Sequence, residues 1–110
     1  MRFYHGERTP NGCEVDVIDA GHPQGGYPLD PRLDLRNHSP TGFEWGYSGS
    51  GPAQLSLALL ADALGDDEKA QRHYQDFKFK VVGRLPHDSW ELSQEEIRDR
   101  VTDLARGRSR

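Results

Sequence analysis

The sequence has little of what disulfide-bonded, zinc-binding or membrane-spanning proteins need. Its single cysteine, Cys13, excludes an intrachain disulfide and a zinc site built on paired cysteines. No apolar run approaches the roughly 20 residues that cross a bilayer, and the first ten residues lack the apolar segment of a signal peptide. We therefore expect a cytoplasmic protein without a membrane partner.

Positive charge is also scarce. Fourteen Lys and Arg residues stand against eighteen Asp and Glu residues, which gives a net charge of −4. Nucleic-acid binding depends on clustered Lys and Arg that neutralise phosphates, so nucleic acid is not favoured as a partner. A chain of 110 residues with 34% hydrophobic residues indicates one domain whose core comes from a few elements. We expect this domain at residues 1–105, with a basic flexible tail at 106–110.

The longest apolar segment follows a Gly/Ser loop. From residue 55 to residue 64 every residue is Leu, Ala or Ser, except Asp62. Apolar groups on nearly every side predict a helix that is buried over most of its surface. Pro52 suits the first helical position and Gly65 suits the C-terminal end. This segment is the predicted centre of the core.

The first half of the chain contains four candidate β-strands, at residues 2–7, 13–18, 32–36 and 43–47. Pro10, Asn11 and Gly12 predict a hairpin turn between the first two strands. Residues 19–31 hold three glycines and three prolines and predict a long exposed loop. In the fourth candidate strand the three aromatic residues would share one face.

The second half predicts two more helices. Asp66 or Asp67 can cap the first of them, and Pro86 would end it. Its buried stripe is predicted to contain Ala70, Tyr74, Phe77 and Val81. Ser93 and Glu96 form a capping box that opens the last helix. Together these patterns predict an α+β fold, in which a small antiparallel sheet of three or four strands packs on a buried central helix with two further helices.

The segment GFEWGYSGSGPAQL, residues 42–55, and residues 73–85 resemble a family of short uncharacterised proteins from bacteria, archaea and their phages and plasmids. The similarity covers roughly residues 4–92, and the family is a domain of unknown function. The resemblance implies a role connected with mobile elements. It supplies no activity, cofactor or catalytic residue.

The Gly/Ser loop is the first candidate site. Residues 46–53 match the two glycines of a phosphate-binding loop, but Pro52 and Ala53 replace its Lys and Ser/Thr, which excludes a nucleotide hydrolase. Backbone amides at a helix start can still bind an anion. The candidate ligand-binding residues are Ser48, Gly49, Ser50, Gly51, Arg36, His38 and Glu44.

Two simpler interpretations compete with this ligand site. The glycines can serve only to turn the chain sharply against the helix. Arg36 can pair with Glu44 across a hairpin, because ion pairs between neighbouring strands are frequent. Catalysis by His38 or Glu44 ranks third among the hypotheses for the function. The five histidines show no metal-binding spacing, and we expect neither a metal nor a cofactor.

The second candidate site is a partner-binding surface. Tyr27 and Phe79 lie off the predicted core stripes, and Lys78 and Lys80 flank Phe79. Exposed aromatics are enriched where proteins bind one another, although the lysines also suit a helix C-terminus. The leading hypothesis is a small non-enzymatic binding protein of phage or mobile-element type that occupies a surface of a larger protein or protein complex. One form of it is an inhibitor of a bacterial defence complex, like an anti-CRISPR. The alternative is a small protein that binds an anion or a nucleotide at the Gly/Ser loop.

Overall fold

A four-stranded antiparallel sheet and three helices make up the structure, a computed structural model that describes residues 1–107. The strands are β1 (Arg2–Thr9), β2 (Gly12–Asp19), β3 (Gly26–Pro28) and β4 (Ser89–Ser93), in the spatial order β3-β2-β1-β4. The helices are α1 (Ser50–Leu64), α2 (Asp67–Lys80) and α3 (Gln94–Gly107), and a 3-10 turn (Val82–Arg84) follows α2. The predicted α+β class is confirmed. Of the tail predicted at 106–110, residues 108–110 lie outside the described part of the chain, and residues 106 and 107 end α3.

The β1–β2 hairpin follows the predicted turn chemistry. Thr9 and Gly12 close the ladder, and the Thr9 hydroxyl accepts a 3.0 Å hydrogen bond from the amide of Asn11. Gly12 has a φ of 119°, a conformation that glycine adopts without strain. Along β2, Val15 and Val17 are buried, while their sequence neighbours Glu14 and Asp16 are exposed. The helices therefore cover one face of the sheet.

Helix α1 is the centre of the core, as its composition predicts. Twelve of its fifteen residues are buried. It begins at Ser50, so Pro52 lies in the first turn, where its missing N–H has no intrahelical partner to lose. At the other end Gly65 adopts a φ of 65° and donates to the carbonyl oxygen of Ala61.

The other two helices have the predicted caps. The Asp66 carboxylate accepts a 3.0 Å hydrogen bond from the amide of Lys69 at the start of α2. Ser93 and Glu96 bond reciprocally at the start of α3, at 2.8 and 3.0 Å. Ala70, Tyr74, Phe77 and Val81 are all buried, which confirms the predicted stripe. Helix α2 ends at Lys80, before Pro86, because the chain tightens into the 3-10 turn.

The strand predicted at residues 32–36 is wrong. The Asp30 carboxylate accepts a 2.9 Å hydrogen bond from the amide of Arg32, which has a φ of 55°. The amide of Leu35 then bonds to the carbonyl oxygen of Arg32 at 3.0 Å. These local hydrogen bonds form a turn. The short Asp30 side chain accepts from a backbone amide two residues ahead, and such bonds compete with the pairing of strands.

The strand predicted at residues 43–47 is also wrong. Trp45 is buried, but Gly46 has a φ of 88° and turns the chain, so Tyr47 lies exposed instead of sharing a face with Trp45. The third strand of the sheet lies within the predicted loop, at Gly26–Pro28. A Cβ at Gly26 would collide with the carbonyl oxygen of Val17, so the close approach of β3 to β2 requires glycine there.

Across residues 1–107, the helices lack the length and apolar character needed to cross a membrane.

Candidate functional site

Trp45 anchors the segment that leads into α1. Its indole N–H donates a 2.9 Å hydrogen bond to the carbonyl oxygen of His87. Its ring meets Trp90 edge-to-face, with centroids 5.4 Å apart, and the guanidinium of Arg8 lies 5.1 Å from its centroid. These three contacts hold the buried Trp45 ring in place, and the ring in turn positions the Gly/Ser loop that follows it in the chain.

The Gly/Ser loop contacts the 3-10 turn that follows α2. The amide of Gly46 donates a 3.1 Å hydrogen bond to the carbonyl oxygen of Val82. A Cβ at Gly83 would lie 3.1 Å from the carbonyl oxygen of Lys78 and 3.3 Å from that of Tyr47. The fold therefore brings the predicted ligand loop and the predicted partner residues 78–80 to the same end of the helical layer.

Exposed aromatic and cationic side chains collect at this end. Tyr47 is 52% exposed and Phe79 is 55% exposed. The Lys78 ammonium lies 4.4 Å from the centroid of the Phe79 ring, in cation–π contact. Lys80 and Arg84 are exposed nearby in the chain. We call this set the helix-end surface, and its members are Tyr47, Ser48, Lys78, Phe79, Lys80 and Arg84.

The four loop residues predicted to bind an anion differ in their surroundings. Ser48 and Ser50 are exposed, and Gly49 caps α1 without a side-chain hydrogen bond. Gly51 is buried, and a Cβ there would lie 2.7 Å from the Cβ of Glu44. The glycine at this position is thus required for packing, which favours the interpretation that the loop turns the chain against the helix.

Glu44 pairs with Arg8, and the predicted pair with Arg36 is wrong. The Glu44 carboxylate accepts a 2.9 Å hydrogen bond from the Arg8 guanidinium, which also donates to the Cys13 sulfur at 3.1 Å. Burial alone would raise the pKa of Glu44, but hydrogen bonds from Arg8 and Cys13 outweigh it and hold that pKa below its ordinary value. Partial burial raises the pKa of the Cys13 thiol. An ionised carboxylate against Gly51 opposes a second anion there.

Arg36 and His38 meet at Gln54, a residue that the sequence did not single out. The buried Gln54 amide donates to the carbonyl oxygens of Pro31 and Arg36, at 2.6 and 3.0 Å. Its oxygen accepts from the amides of His38 and Ser39, at 2.7 and 3.1 Å. These four hydrogen bonds hold the turn at residues 31–39 against α1, and only the backbone of Arg36 takes part.

His38 and Glu44 have different partners. The His38 ring nitrogen Nε2 lies 2.7 Å from the Tyr74 hydroxyl of α2, whereas Glu44 binds Arg8 of β1. Among residues 1–107, no group of three or more His, Cys, Asp or Glu side chains is arranged to hold a metal ion. Within the part of the chain that the structure describes, no contact joins His38 and Glu44 into one reaction centre.

Tyr27 lies at the other end of α1 from the helix-end surface. Its hydroxyl donates a 2.7 Å hydrogen bond to Asp62, whose other oxygen accepts from Tyr4 at 2.6 Å and from Arg2 at 3.1 Å. Burial and the Asp62 carboxylate raise the pKa of Tyr27 to about 12, and raise that of Tyr4 further still. The half-buried Tyr27 is thus an anchor of β3, and the fold does not bring it near Phe79.

The sequence could have indicated the roles of Asp62 and Gln54, two polar residues of α1 that the sequence analysis did not include in a site. Asp62 is the one charged residue in the apolar segment at 55–64, and Gln54 directly precedes that segment. A polar group on a helix that is buried all round must find hydrogen-bond partners elsewhere in the chain. Tyr47 could not be found in this way, because its exposure depends on the turn at Gly46.

Residues 4–103 match the model of a family of unknown function (DUF6166). The chain belongs to this family. The match covers most of the chain and includes both edge strands of the sheet, β3 and β4, and all but the last turn of α3. It confirms the resemblance to an uncharacterised family that was found in residues 42–55 and 73–85. No curated protein and no solved structure matches the chain of this DUF6166 member.

Proposed function

We propose that this DUF6166 protein is a non-enzymatic binding protein that contacts a larger protein through the helix-end surface. The observation that carries the proposal is that Tyr47 and Phe79 are each more than half exposed, with the Lys78 ammonium 4.4 Å from the centroid of the Phe79 ring. Aromatic residues and arginine are the side chains that contribute most to binding between proteins. A partner that covers the exposed part of both rings would remove apolar surface from water, which favours binding.

The chemistry of the surface specifies the partner. Lys78, Lys80 and Arg84 are cationic, and the exposed Asp76 lies one helical turn before Phe79 and Lys80, so the cations outnumber the carboxylate at this end of α2. A partner that presents carboxylates around an apolar pocket would complement both the charge and the rings. Inhibition of a bacterial defence complex inside the cell is one specific form of this proposal, and a mobile-element origin accords with it.

The test compares binding by the parent protein and by a double variant, Tyr47→Ser with Phe79→Ser. Proteins captured from a bacterial host lysate are identified, purified and titrated against both. We expect the double variant to keep its melting temperature, because both rings are exposed, and to bind at least about 30-fold more weakly, the equivalent of a 2 kcal/mol hot spot.

Leu33→Ser serves as the matched control, because Leu33 is an exposed apolar residue outside the helix-end surface. It should bind the partner as the parent does. Equal binding by the parent and the double variant would contradict the proposal and place the contact elsewhere. Identification of the captured protein as part of a defence complex, or as something else, decides the specific form.

Anion or nucleotide binding at residues 48–51 is a separate proposal. Its support is the start of α1, where the amides of Ser50 and Gly51 come before Ala53, whose amide donates to the carbonyl oxygen of Gly49. Phosphate or nucleotides at millimolar concentration should then raise the melting temperature of the parent. An unchanged melting curve would refute this proposal and leave the helix-end surface unaffected.

A further inference from the structure

The face of the sheet opposite the helices has no cover among the described residues. In each strand the side chains alternate between the core and this outer face. The core side contains the buried Tyr4, Val15, Val17 and Trp90. The outer face contains Phe3, His5 and Glu7 of β1, Glu14, Asp16 and Ile18 of β2, and Ser89, Glu91 and Ser93 of β4.

The outer face is acidic. Among residues 1–107, it carries four carboxylates and no Lys or Arg side chain, and the only basic group on it is His5, whose Nε2 lies 3.3 Å from a carboxylate oxygen of Glu7. The two arginines of β1 point to the other side, where Arg2 binds Asp62 and Arg8 binds Glu44. Four negative charges equal the net charge of −4 of the whole chain, so the charges elsewhere sum to zero.

The strand register places like charges side by side. Glu7 lies directly opposite Glu14, and His5 lies between Asp16 of β2 and Glu91 of β4. Like charges in directly opposed positions of a sheet lower its stability. The directly opposed Glu7 and Glu14 therefore repel each other in the free protein, and cationic groups placed on the face would relieve this repulsion.

An apolar pair lies at one end of the same face. Phe3 and Ile18 are directly opposed in the register, and they are 37% and 48% exposed. At about 3.3 Å per residue, Phe3 lies about 13 Å from Glu7 along β1, and three strands span about 10 Å across. Carboxylates and an apolar pair thus share an area about as long as two to three turns of a helix.

We propose that the outer face is a docking site for a cationic, amphipathic segment of a partner protein. The lysines or arginines of such a segment would lie over Glu7, Glu14, Asp16 and Glu91, and its apolar side chains would cover Phe3 and Ile18. The outer face has the opposite charge to the helix-end surface and lies on the opposite layer. It is therefore a second binding site for a segment of different chemistry.

The test uses a synthetic helical peptide with lysines on one side and leucines on the other. Its counterpart with glutamate in place of lysine is the charge control. Backbone amide shifts of the isotope-labelled protein, followed by NMR during titration, locate the contact. We expect the lysine peptide to shift residues of β1, β2 and β4, and the glutamate peptide to leave them unchanged. Binding should weaken in salt near 1 M, where screening acts within about 3 Å.

A matched pair of triple variants isolates the outer face from bulk charge. The first is Glu7→Gln, Asp16→Asn and Glu91→Gln; the second is Glu95→Gln, Asp99→Asn and Asp103→Asn on the exposed side of α3. Both change the net charge equally. We expect the first to bind the lysine peptide about tenfold more weakly and the second to bind as the parent does. Circular dichroism should show both variants folded, because the first removes repulsion between carboxylates and the second changes only exposed side chains.

Three results would overturn the proposal. One is equal binding by the two triple variants, and another is amide shifts centred on α3 or on the helix-end surface. The third is a concentration-dependent oligomer, seen by sedimentation, that Glu14→Lys dissolves, because the outer face would then be covered by a second copy of this chain. Should Glu7→Gln, Asp16→Asn and Glu91→Gln together fail to fold, the single change Glu14→Lys tests the same site.

Discussion

The hydroxyl of Tyr4 donates a 2.6 Å hydrogen bond to the carboxylate of Asp62, which joins β1 to α1 across 58 residues of sequence. Tyr27 and Arg2 donate to the same carboxylate. One acidic side chain on the central helix thus connects that helix to the first strand and to the third. The carboxylate is mostly buried, so its loss leaves the Tyr4 and Tyr27 hydroxyls without this acceptor, whereas Arg2 keeps the carbonyl oxygen of residue 62 and the Asp19 carboxylate.

We expect Asp62→Ala to lower the free energy of unfolding by about 3 kcal/mol, because the fully buried Tyr4 hydroxyl would lose its acceptor. Urea denaturation of the parent and the variant measures the change. Asp99→Ala is the control, since Asp99 is exposed on α3 and its loss should cost less than about 0.5 kcal/mol. A cost for Asp62→Ala as small as that of the control would contradict the structural role of this carboxylate.

Alkaline pH should weaken the fold through the same network. The pKa of Tyr27 rises from 10.0 to about 12 in the folded state, so folding favours its neutral form. This contribution is fully present below pH 10 and is lost as the pH rises toward 12. We expect the stability of Tyr27→Phe to fall less steeply than that of the parent between these values. Parallel curves from denaturation at a series of pH values would refute the assignment.

Gln54→Leu should loosen the turn at residues 31–39. The leucine keeps the volume of the side chain but removes four hydrogen bonds, so we expect a loss of at least about 2 kcal/mol in stability. Amide hydrogen exchange should accelerate at His38 and Ser39. Gln71→Leu, which removes one 3.3 Å hydrogen bond on α2, is the control. Unchanged exchange at His38 and Ser39 in the Gln54 variant would contradict this role.

Leu60→Ala should cost about 2–5 kcal/mol, through lost burial and the cavity left in the core. Leu60 has no exposed surface, whereas Leu33 is partly exposed, so Leu33→Ala should have a much smaller effect. Thermal denaturation of both variants checks the difference. Equal melting temperatures for Leu60→Ala and the parent would show that α1 is not the centre of the core.

Much of the fold could be predicted from local sequence. The hairpin turn at Gly12, the cap at Asp66 and the capping box of Ser93 and Glu96 all occur as expected. The burial of α1 followed from its composition, and the exposure of Phe79 from its position off the α2 stripe. The turn and the caps depend on interactions between residues a few positions apart, and the burial of a helix follows from the distribution of apolar residues around it, so the sequence pattern was enough to predict them.

Part of the helix-end surface was predictable for the same reason. The end of α2 contains Lys78, Phe79 and Lys80, and the spacing of apolar residues along the sequence predicted this helix. The site as a whole was not, because the contact between Gly46 and Val82 joins segments far apart in sequence. Tyr27 shows the converse: its position off the core stripes predicted a partly exposed ring, and it is half-buried, but the sequence did not indicate that its hydroxyl binds a carboxylate 35 residues away.

The sequence by itself determined the helices, their caps, the first hairpin and the central position of α1. The tertiary structure decided which segment became the third strand, which arginine pairs with Glu44, and where the four exposed carboxylates of the sheet collect. Alternation of apolar and charged residues over five positions, as at residues 32–36, is compatible with a turn as well as with a strand. Which of the two forms depends on whether a neighbouring strand is available for pairing. In this chain Tyr27 reaches Asp62 and brings Gly26–Pro28 to β2, while the turn at Arg32 is closed by Asp30 and held by Gln54.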